Sequence, residues 1–220
     1  MRLVEKYRPK RFADLVGQDK AITQLRTLIS RGIGGRALLL EGPSGVGKTA
    51  AALALAREIG IVKDDETLQR LQSGSNMDLR FYQSRNVDVH TVAELGDWLQ
   101  RSCWQSPFKM ALIDEAQAMS AKGTEGMLTL LEGLLEHNIV VMTTTQYDDE
   151  LFRVDGPFAS RCQQVFFQRL EDTAIAERLA EIAFAESGNG VKVAYREIVR
   201  RGNGNMRTCL QLLETALGQL

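Results

Sequence analysis

Short, unbroken apolar runs punctuate this chain at wide intervals. Ala37-Leu38-Leu39-Leu40, the stretch 109–113 and Ile139-Val140-Val141-Met142 read as strands buried on both faces. Weaker runs over 78–82 and 164–167 read as further strands. Between them the apolar period changes to that of a helix. Ile22, Leu25, Leu28 and Ile29 share one face of a segment spanning 18–30, which Gly32, Gly34 and Gly35 end. Residues 49–57 are rich in alanine and leucine, and 124–136 repeats Met127, Leu128, Leu131, Leu134 and Leu135. Thr91 with Glu94 reads as a capping box that opens a helix reaching about Trp104. Residues 61–76 are polar and weakly patterned, a short helix or an excursion.

Beyond residue 168 the strand pattern stops. Segments 171–186, 191–201 and 205–218 read as amphipathic helices, parted by Ser187-Gly188-Asn189-Gly190 and Gly202-Asn203-Gly204. Alternating strands and helices predict an α/β fold, a parallel sheet flanked by helices over residues 1–168. The trailing helices predict a small all-α lid domain over 169–220.

The sharpest chemical signal sits between the first strand and the helix after it. Residues 42–49 read Gly42-Pro43-Ser44-Gly45-Val46-Gly47-Lys48-Thr49, a G-x-x-x-x-G-K-T phosphate-binding loop. The glycines let the backbone turn tightly, so that its N–H groups face phosphate oxygens. The helix N-terminus adds the positive end of its dipole. Lys48 brings a charge for β- and γ-phosphates, and the Thr49 hydroxyl is a Mg²⁺ ligand. Such a pattern arises by chance in a chain of this length roughly once in a hundred times, and the flanking strand and helix reduce that further.

A second signal is the strand 110–113 ending in Asp114-Glu115. The first acid suits Mg²⁺, held directly or through water. The second suits orientation of an attacking water. A small-molecule kinase has no need of the second acid, since its substrate is the nucleophile, so the pair favours an NTPase. Thr145 ends the next strand, either as a contact for the γ-phosphate or water, or as an ordinary threonine-rich strand end. Arg161, before the last strand, is either a surface arginine or a charge offered to a neighbouring subunit's γ-phosphate. Arg207 opens the last helix, as a surface residue or as a nucleotide contact in its own subunit.

Bulk composition adds little beyond exclusions. The formal net charge is −1, 44% of residues are apolar and 25% are charged, which is ordinary globular composition. On charge alone the basic run Arg2, Lys6, Arg8, Lys10 and Arg11 reads as a solvated N-terminal arm. Cys103, Cys162 and Cys209 show no metal spacing and no disulfide framework, and each reads as a small buried apolar residue. His90 and His137 lack companions at ligand spacing and read as structural. No apolar run of membrane-spanning length occurs, nor a signal-peptide pattern, so no membrane association and an intracellular location are expected.

Taken in order, these pieces resemble the clamp-loader branch of the AAA+ ATPases, covering replication-factor-C-type and bacterial DNA polymerase III gamma/tau-type subunits. Val4-Glu5-Lys6-Tyr7-Arg8-Pro9, with Phe12 and Val16-Gly17-Gln18, is similar to that branch's adenine-binding box. Gly42–Thr49 resembles Walker A and Ile113-Asp114-Glu115 resembles Walker B. Thr145 matches sensor 1, Met206-Arg207 matches sensor 2, and Ser160-Arg161-Cys162 matches the family's Ser-Arg-Cys motif, whose arginine acts in trans. The resemblance spans nearly the whole chain and recasts the basic N-terminal run as part of a nucleotide box. It implies ATP and Mg²⁺ as cofactors, with Val4, Tyr7, Arg8, Pro9, Val16, the loop 42–49 and Arg207 at the nucleotide. Asp114 and Thr49 are implied at the metal, and Glu115, Thr145 and Arg161 in hydrolysis.

The implied function is ATP-dependent loading of a sliding clamp onto primer–template DNA, in a pentameric assembly with other loader subunits. The implied location is the cytoplasm or nucleus, or the host cytoplasm for a phage protein. Three features depart from the pattern. Sensor 1 is threonine, as in gamma/tau-type subunits, where replication-factor-C-type ones carry asparagine. The gamma/tau zinc-binding cysteine cluster is missing, so only Mg²⁺ is implied. The family's helical collar, which holds its pentamers together, does not follow the lid helices, so the expectation is a fragment or short form. A non-hydrolysing structural subunit and a branch-migration-type motor are the competing readings. The intact Lys48, Thr49, Asp114 and Glu115 argue against the first, and the Ser-Arg-Cys motif against the second.

Overall fold

Short-range pattern and burial together set the central layer. The computed structural model describes residues 2–63, 68–72, 74, 76–145, 150–152, 156–188 and 193–218. Among these the strands are β1 (Arg36–Glu41), β2 (Leu79–Gln83), β3 (Lys109–Asp114), β4 (Asn138–Thr144) and β5 (Gln163–Phe166). They form one parallel sheet in the order β2-β3-β4-β1-β5. Alternate residues of each strand serve opposite faces. Leu38, Leu40, Leu112 and Val141 pack under α2 (Asp19–Ser30) and α3 (Lys48–Glu58). Leu39, Ile113, Val140 and Met142 pack under α5 (Val89–Leu99) and α6 (Ala121–Glu132). Both faces are covered, which explains why these strands read as continuous apolar runs.

The helices follow local chemistry. α2 buries the stripe Ala21, Ile22, Leu25 and Leu28. α3 is buried nearly all round from Ala50 to Ala56, which is why its sequence shows composition more than periodicity. Two short helices, α1 (Leu3–Lys6) and α4 (Leu68–Gln72), lie outside the sheet's main helical layers. The C-terminal helices α7 (Asp172–Ser187), α8 (Tyr195–Gly202) and α9 (Met206–Gly218) enclose a separate apolar cluster centred on Ile175, Leu179, Cys209 and Leu213. Leu3 is part of that cluster, and Val4 and Tyr7 pack against it. The Leu3 N–H donates to Glu214, and Glu186 accepts from the Tyr7 hydroxyl and pairs with Lys6, each at 2.6 Å.

Several sequence expectations shift. The helix expected from Thr91 to about Trp104 starts at Val89 and ends at Leu99. Asp88 is its N-cap and accepts from the Thr91 N–H, so the cap lies three residues earlier than the Thr91–Glu94 pattern implied. Downstream, the Asp78 carboxylate takes the N–H groups of Trp104, Gln105 and Ser106 at 2.6–2.9 Å, which holds that stretch in a loop. The helix expected over 124–136 runs from Ala121 to Glu132, with Ser120 as N-cap and Gly133 at its end. Residues 191–192 of the helix expected over 191–201 lie outside the described residues, and α8 begins at Tyr195. Of the cysteines expected to be buried, only Cys209 is so; Cys103 and Cys162 are half-buried.

Candidate active site

Because every strand runs the same way, the C-terminal ends of β1, β3 and β4 lie along one edge of the sheet. This gathers the phosphate loop, Asp114-Glu115 and Thr145, and ligands of open α/β sheets bind at such edges. The loop turns through left-handed backbone at Gly45 (φ 74°) and Gly47 (φ 105°). Gly42 has φ 143°, and a Cβ there would stand 2.2 Å from the Phe167 carbonyl oxygen, so no larger residue fits. Lys48, the first residue of α3, is buried and donates from Nζ to the Gly42 and Pro43 carbonyls at 2.7 Å each. Burial pulls its ammonium down to about 8; Glu115 and Asp114 oppose that shift, and Arg207 adds to it.

The two acidic residues are held differently. Asp114 Oδ1 accepts from the Thr49 hydroxyl at 2.7 Å and from the Thr143 hydroxyl at 2.8 Å. The Glu115 N–H donates to Thr143 Oγ1 at 3.0 Å, and the Ser84 hydroxyl donates to the Asp114 carbonyl. Glu115 has φ 59°, a strained conformation for a residue with a side chain, and it lines the cavity beside the loop. Its Oε2 accepts from Thr145 Oγ1 at 3.2 Å and from the Gln117 amide. The donors that meet at Asp114 are hard oxygens from two separate segments. They fit Mg²⁺, which takes few protein ligands and completes its shell with water and phosphate. Among the described residues no cluster of three or more His, Cys, Asp or Glu suited to a metal occurs.

The cavity spans about 880 Å³, open solvent at its mouth included. Of the residues expected at a nucleotide, Ser44 through Thr49 form its floor. Val4, Tyr7, Arg8, Pro9 and Val16 form one wall, and Arg207 with Met206 forms another. Gly42, Pro43, Asp114 and Thr145 stand behind this lining, tied to it through Lys48, Thr49 and Glu115. Burial, and then the charge of Arg207, lowers the pKa of Arg8. Arg8, Arg207 and Lys48 therefore bring three interacting cations to one cavity, a surrounding suited to a polyphosphate. Arg161 is not among them. It lies on the surface, donating to Glu132 Oε1 at 2.6 and 2.9 Å and to the Pro157 carbonyl.

Sequence reasoning missed several participants. Thr143 was passed over in favour of Thr145, although both lie in one threonine run. Gln117, two residues past Glu115, was not singled out. Neither were Arg178, Ile182 and Leu210, residues of the C-terminal helices that line the cavity. The Asn205 side chain packs so tightly on Gly45 that a Cβ there would come within 1.9 Å of it, and the Met206 N–H donates to the Gly45 carbonyl. Gln18 stitches the box to the sheet edge, exchanging hydrogen bonds with the Gln168 backbone.

A five-stranded parallel sheet in this order, a phosphate loop after its first strand and a C-terminal helical region define a P-loop protein of the AAA+ type. Residues 17–171 match the family model described as DNA polymerase III, delta subunit, and the chain belongs to that family. It is 29% identical over 214 residues to the replication factor C small subunit of Methanosarcina acetivorans, covering 97% of this chain and 60% of that protein. It is 30% identical over 224 residues to the DNA polymerase III subunit gamma of Buchnera aphidicola, covering 98% and 61%. The chain thus spans about three fifths of the length of these relatives. The clamp-loader branch of the AAA+ proteins, which the sequence resembles, is supported. In fold, the chain is also similar to the RuvB Holliday junction branch migration motor of Thermotoga maritima. The TM-score there is 0.67 at 20% identity, over 94% of this chain and 64% of that one.

Proposed function

We propose that this chain is a Mg²⁺-dependent ATPase subunit of a clamp loader, acting in replication with other loader subunits. The observation that carries the reading is the convergence of Lys48, Thr49 and Glu115 on one cavity, with Asp114 bonded to Thr49 just behind it, while Arg161 stands outside. Lys48 leaves its loop carbonyls for the β- and γ-phosphates, and loop N–H groups take the remaining phosphate oxygens. Thr49 and Asp114 hold Mg²⁺, which neutralises charge on the phosphates when bound. Val4, Tyr7, Pro9 and Val16 shelter the base, while Arg8 and Arg207 face the phosphate side. Glu115 orients and deprotonates the attacking water. Thr145 reports the γ-phosphate to β4. Arg161 completes the cavity of an adjoining subunit.

In this reading ATP binding lets an assembly, pentameric by resemblance, grip a sliding clamp and primer–template DNA, and hydrolysis releases them. Among the described residues no helix is long and apolar enough to cross a membrane. The likeness to RuvB is one of fold and gives no preference to branch migration. The test is steady-state ATP hydrolysis by the chain with its partner subunits. It is measured alone, with primed single-stranded DNA, and with primed DNA plus a ring-shaped clamp. Stimulation by DNA and clamp together supports a loader. Stimulation by four-way junctions alone supports a branch-migration motor, and binding without turnover supports a structural subunit.

A further inference from the structure

Glu115 and Thr145 follow the ends of two neighbouring strands, and one side chain joins them. The Gln117 amide nitrogen donates to Glu115 Oε2 and, at 2.9 Å, to Thr145 Oγ1. Both of its hydrogens are thereby engaged. Thr145 Oγ1 donates in turn to the same Glu115 oxygen at 3.2 Å, closing a three-membered network. Glu115 lines the cavity, whereas Gln117 and Thr145 stand behind it. Gln117 Oε1 is buried and has no partner among the described residues, so the amide's donor side fixes its orientation. Oε2 of Glu115 is therefore committed to the protein. Among the described residues Oε1 carries no hydrogen bond, which leaves it available to a water in the cavity.

We propose that Gln117 is a positioning residue for hydrolysis. By donating to both Glu115 and Thr145 it makes a carboxylate and a hydroxyl from two strands move as one unit, and it keeps Oε1 of Glu115 toward the attacking water. Glu115 has left-handed backbone, φ 59°, a conformation that persists only where surrounding contacts hold it, and the hydrogen bond from Gln117 is one of those contacts. The inference rests on the reading of Glu115 as the base. It adds that the base's aim is set by a residue that never touches the nucleotide.

The test uses Gln117→Met, which keeps length and packing but removes the amide, in the full chain assembled with its partners. The expected kcat is lower by roughly ten- to hundredfold, the scale of one charge-assisted hydrogen bond. The Kd for ATP and the melting temperature should stay near those of the wild type, which a merely structural role would not predict. Thr145→Val should also lower kcat, and the double variant should lose less than the product of the two single losses, since both cut one network. Gln117→Glu, equal in shape but placing a like charge beside Glu115, should lose at least as much as Gln117→Met, and it serves if the methionine variant folds poorly. Wild-type kcat in Gln117→Met, a change confined to Kd, or losses that multiply with Thr145→Val would overturn the proposal. Turnover by Glu115→Gln equal to wild type would overturn the base assignment and this inference with it. Slow Glu115→Gln beside wild-type Gln117→Met would remove only the role of Gln117.

Discussion

Lys48 holds its own loop closed, and its ammonium is the one side-chain cation that donates to the loop's carbonyls among the described residues. Lys48→Ala should therefore abolish tight ATP binding, and a fluorescent-nucleotide titration checks it; wild-type affinity would mean that the phosphates sit elsewhere. Glu115→Gln should keep binding but slow turnover by about 10²-fold or more, read by single-turnover hydrolysis. A quieter residue sits just before the loop. Glu41 is 1% exposed, and its Oε1 has no partner among the described residues. Burial drives its carboxyl up to about 7 from an ordinary 4.5, and the adjacent Gln164 side chain offsets only part of the rise. Between those values the folded chain holds a proton that the unfolded chain has lost, so stability falls as pH rises through that window and is fully present below it. Glu41→Gln should remove the dependence. It should be more stable than wild type at pH 8 by about 1–3 kcal/mol and equal to it near pH 4. Urea unfolding at both values reads this, and an unchanged difference between them would count against it.

At the scale of elements, the loop between α5 and β3 depends on a single carboxylate. Burial pushes the Asp78 carboxyl up, but the three N–H groups it accepts outweigh this and hold it below its ordinary value. Asp78→Ala should cost about 2–3 kcal/mol, the scale of buried donors left without an acceptor. That cost should shrink as acid protonates Asp78 in the wild type, which thermal melts at neutral and acidic pH would show; a constant cost would point to packing instead. The same contact explains what could be read in advance and what could not. The buried strands, the phosphate loop and Asp114-Glu115 were legible because each is defined by neighbours in sequence. The run to Trp104 kept a helical appearance, and only a carboxylate 26 residues earlier unravels it. Asp88 displaced Thr91 as the cap because both patterns lay within three residues and local spacing could not rank them. Thr143 and Gln117 escaped notice for a different reason. Thr143 meets Asp114, and Gln117 meets Thr145, because β3 lies beside β4, a pairing that no spacing encodes. Val4 and Tyr7 were found only through resemblance, and Arg207 was an open alternative until then, since nothing in their local pattern predicts that residues so far apart in sequence line one cavity.

Over the whole molecule, the site is split between what one chain encloses and what it displays. Arg161 is 33% exposed and held by an exposed glutamate, an arrangement worth little in water and readily exchanged for a phosphate. If it serves a neighbour, specific activity should rise with protein concentration. Mixed Arg161→Ala and Lys48→Ala chains should regain part of the activity that each lacks alone, since some interfaces pair an intact loop with an intact arginine. Full hydrolysis by a verified monomer would exclude the trans role. Residues 3–7 raise a separate matter, because Leu3, Lys6 and Tyr7 are bound to the C-terminal helices through Glu214 and Glu186 while Val4 and Tyr7 line the cavity next to the phosphate loop. This segment thus ties the phosphate-loop side of the cavity to the C-terminal helices. A label placed within residues 3–7 would disturb the contacts with Glu186 and Glu214 and the cavity wall together. A label that leaves the cavity undisturbed belongs on α8, where Arg196 and Arg200 are exposed, and not on residues 3–7.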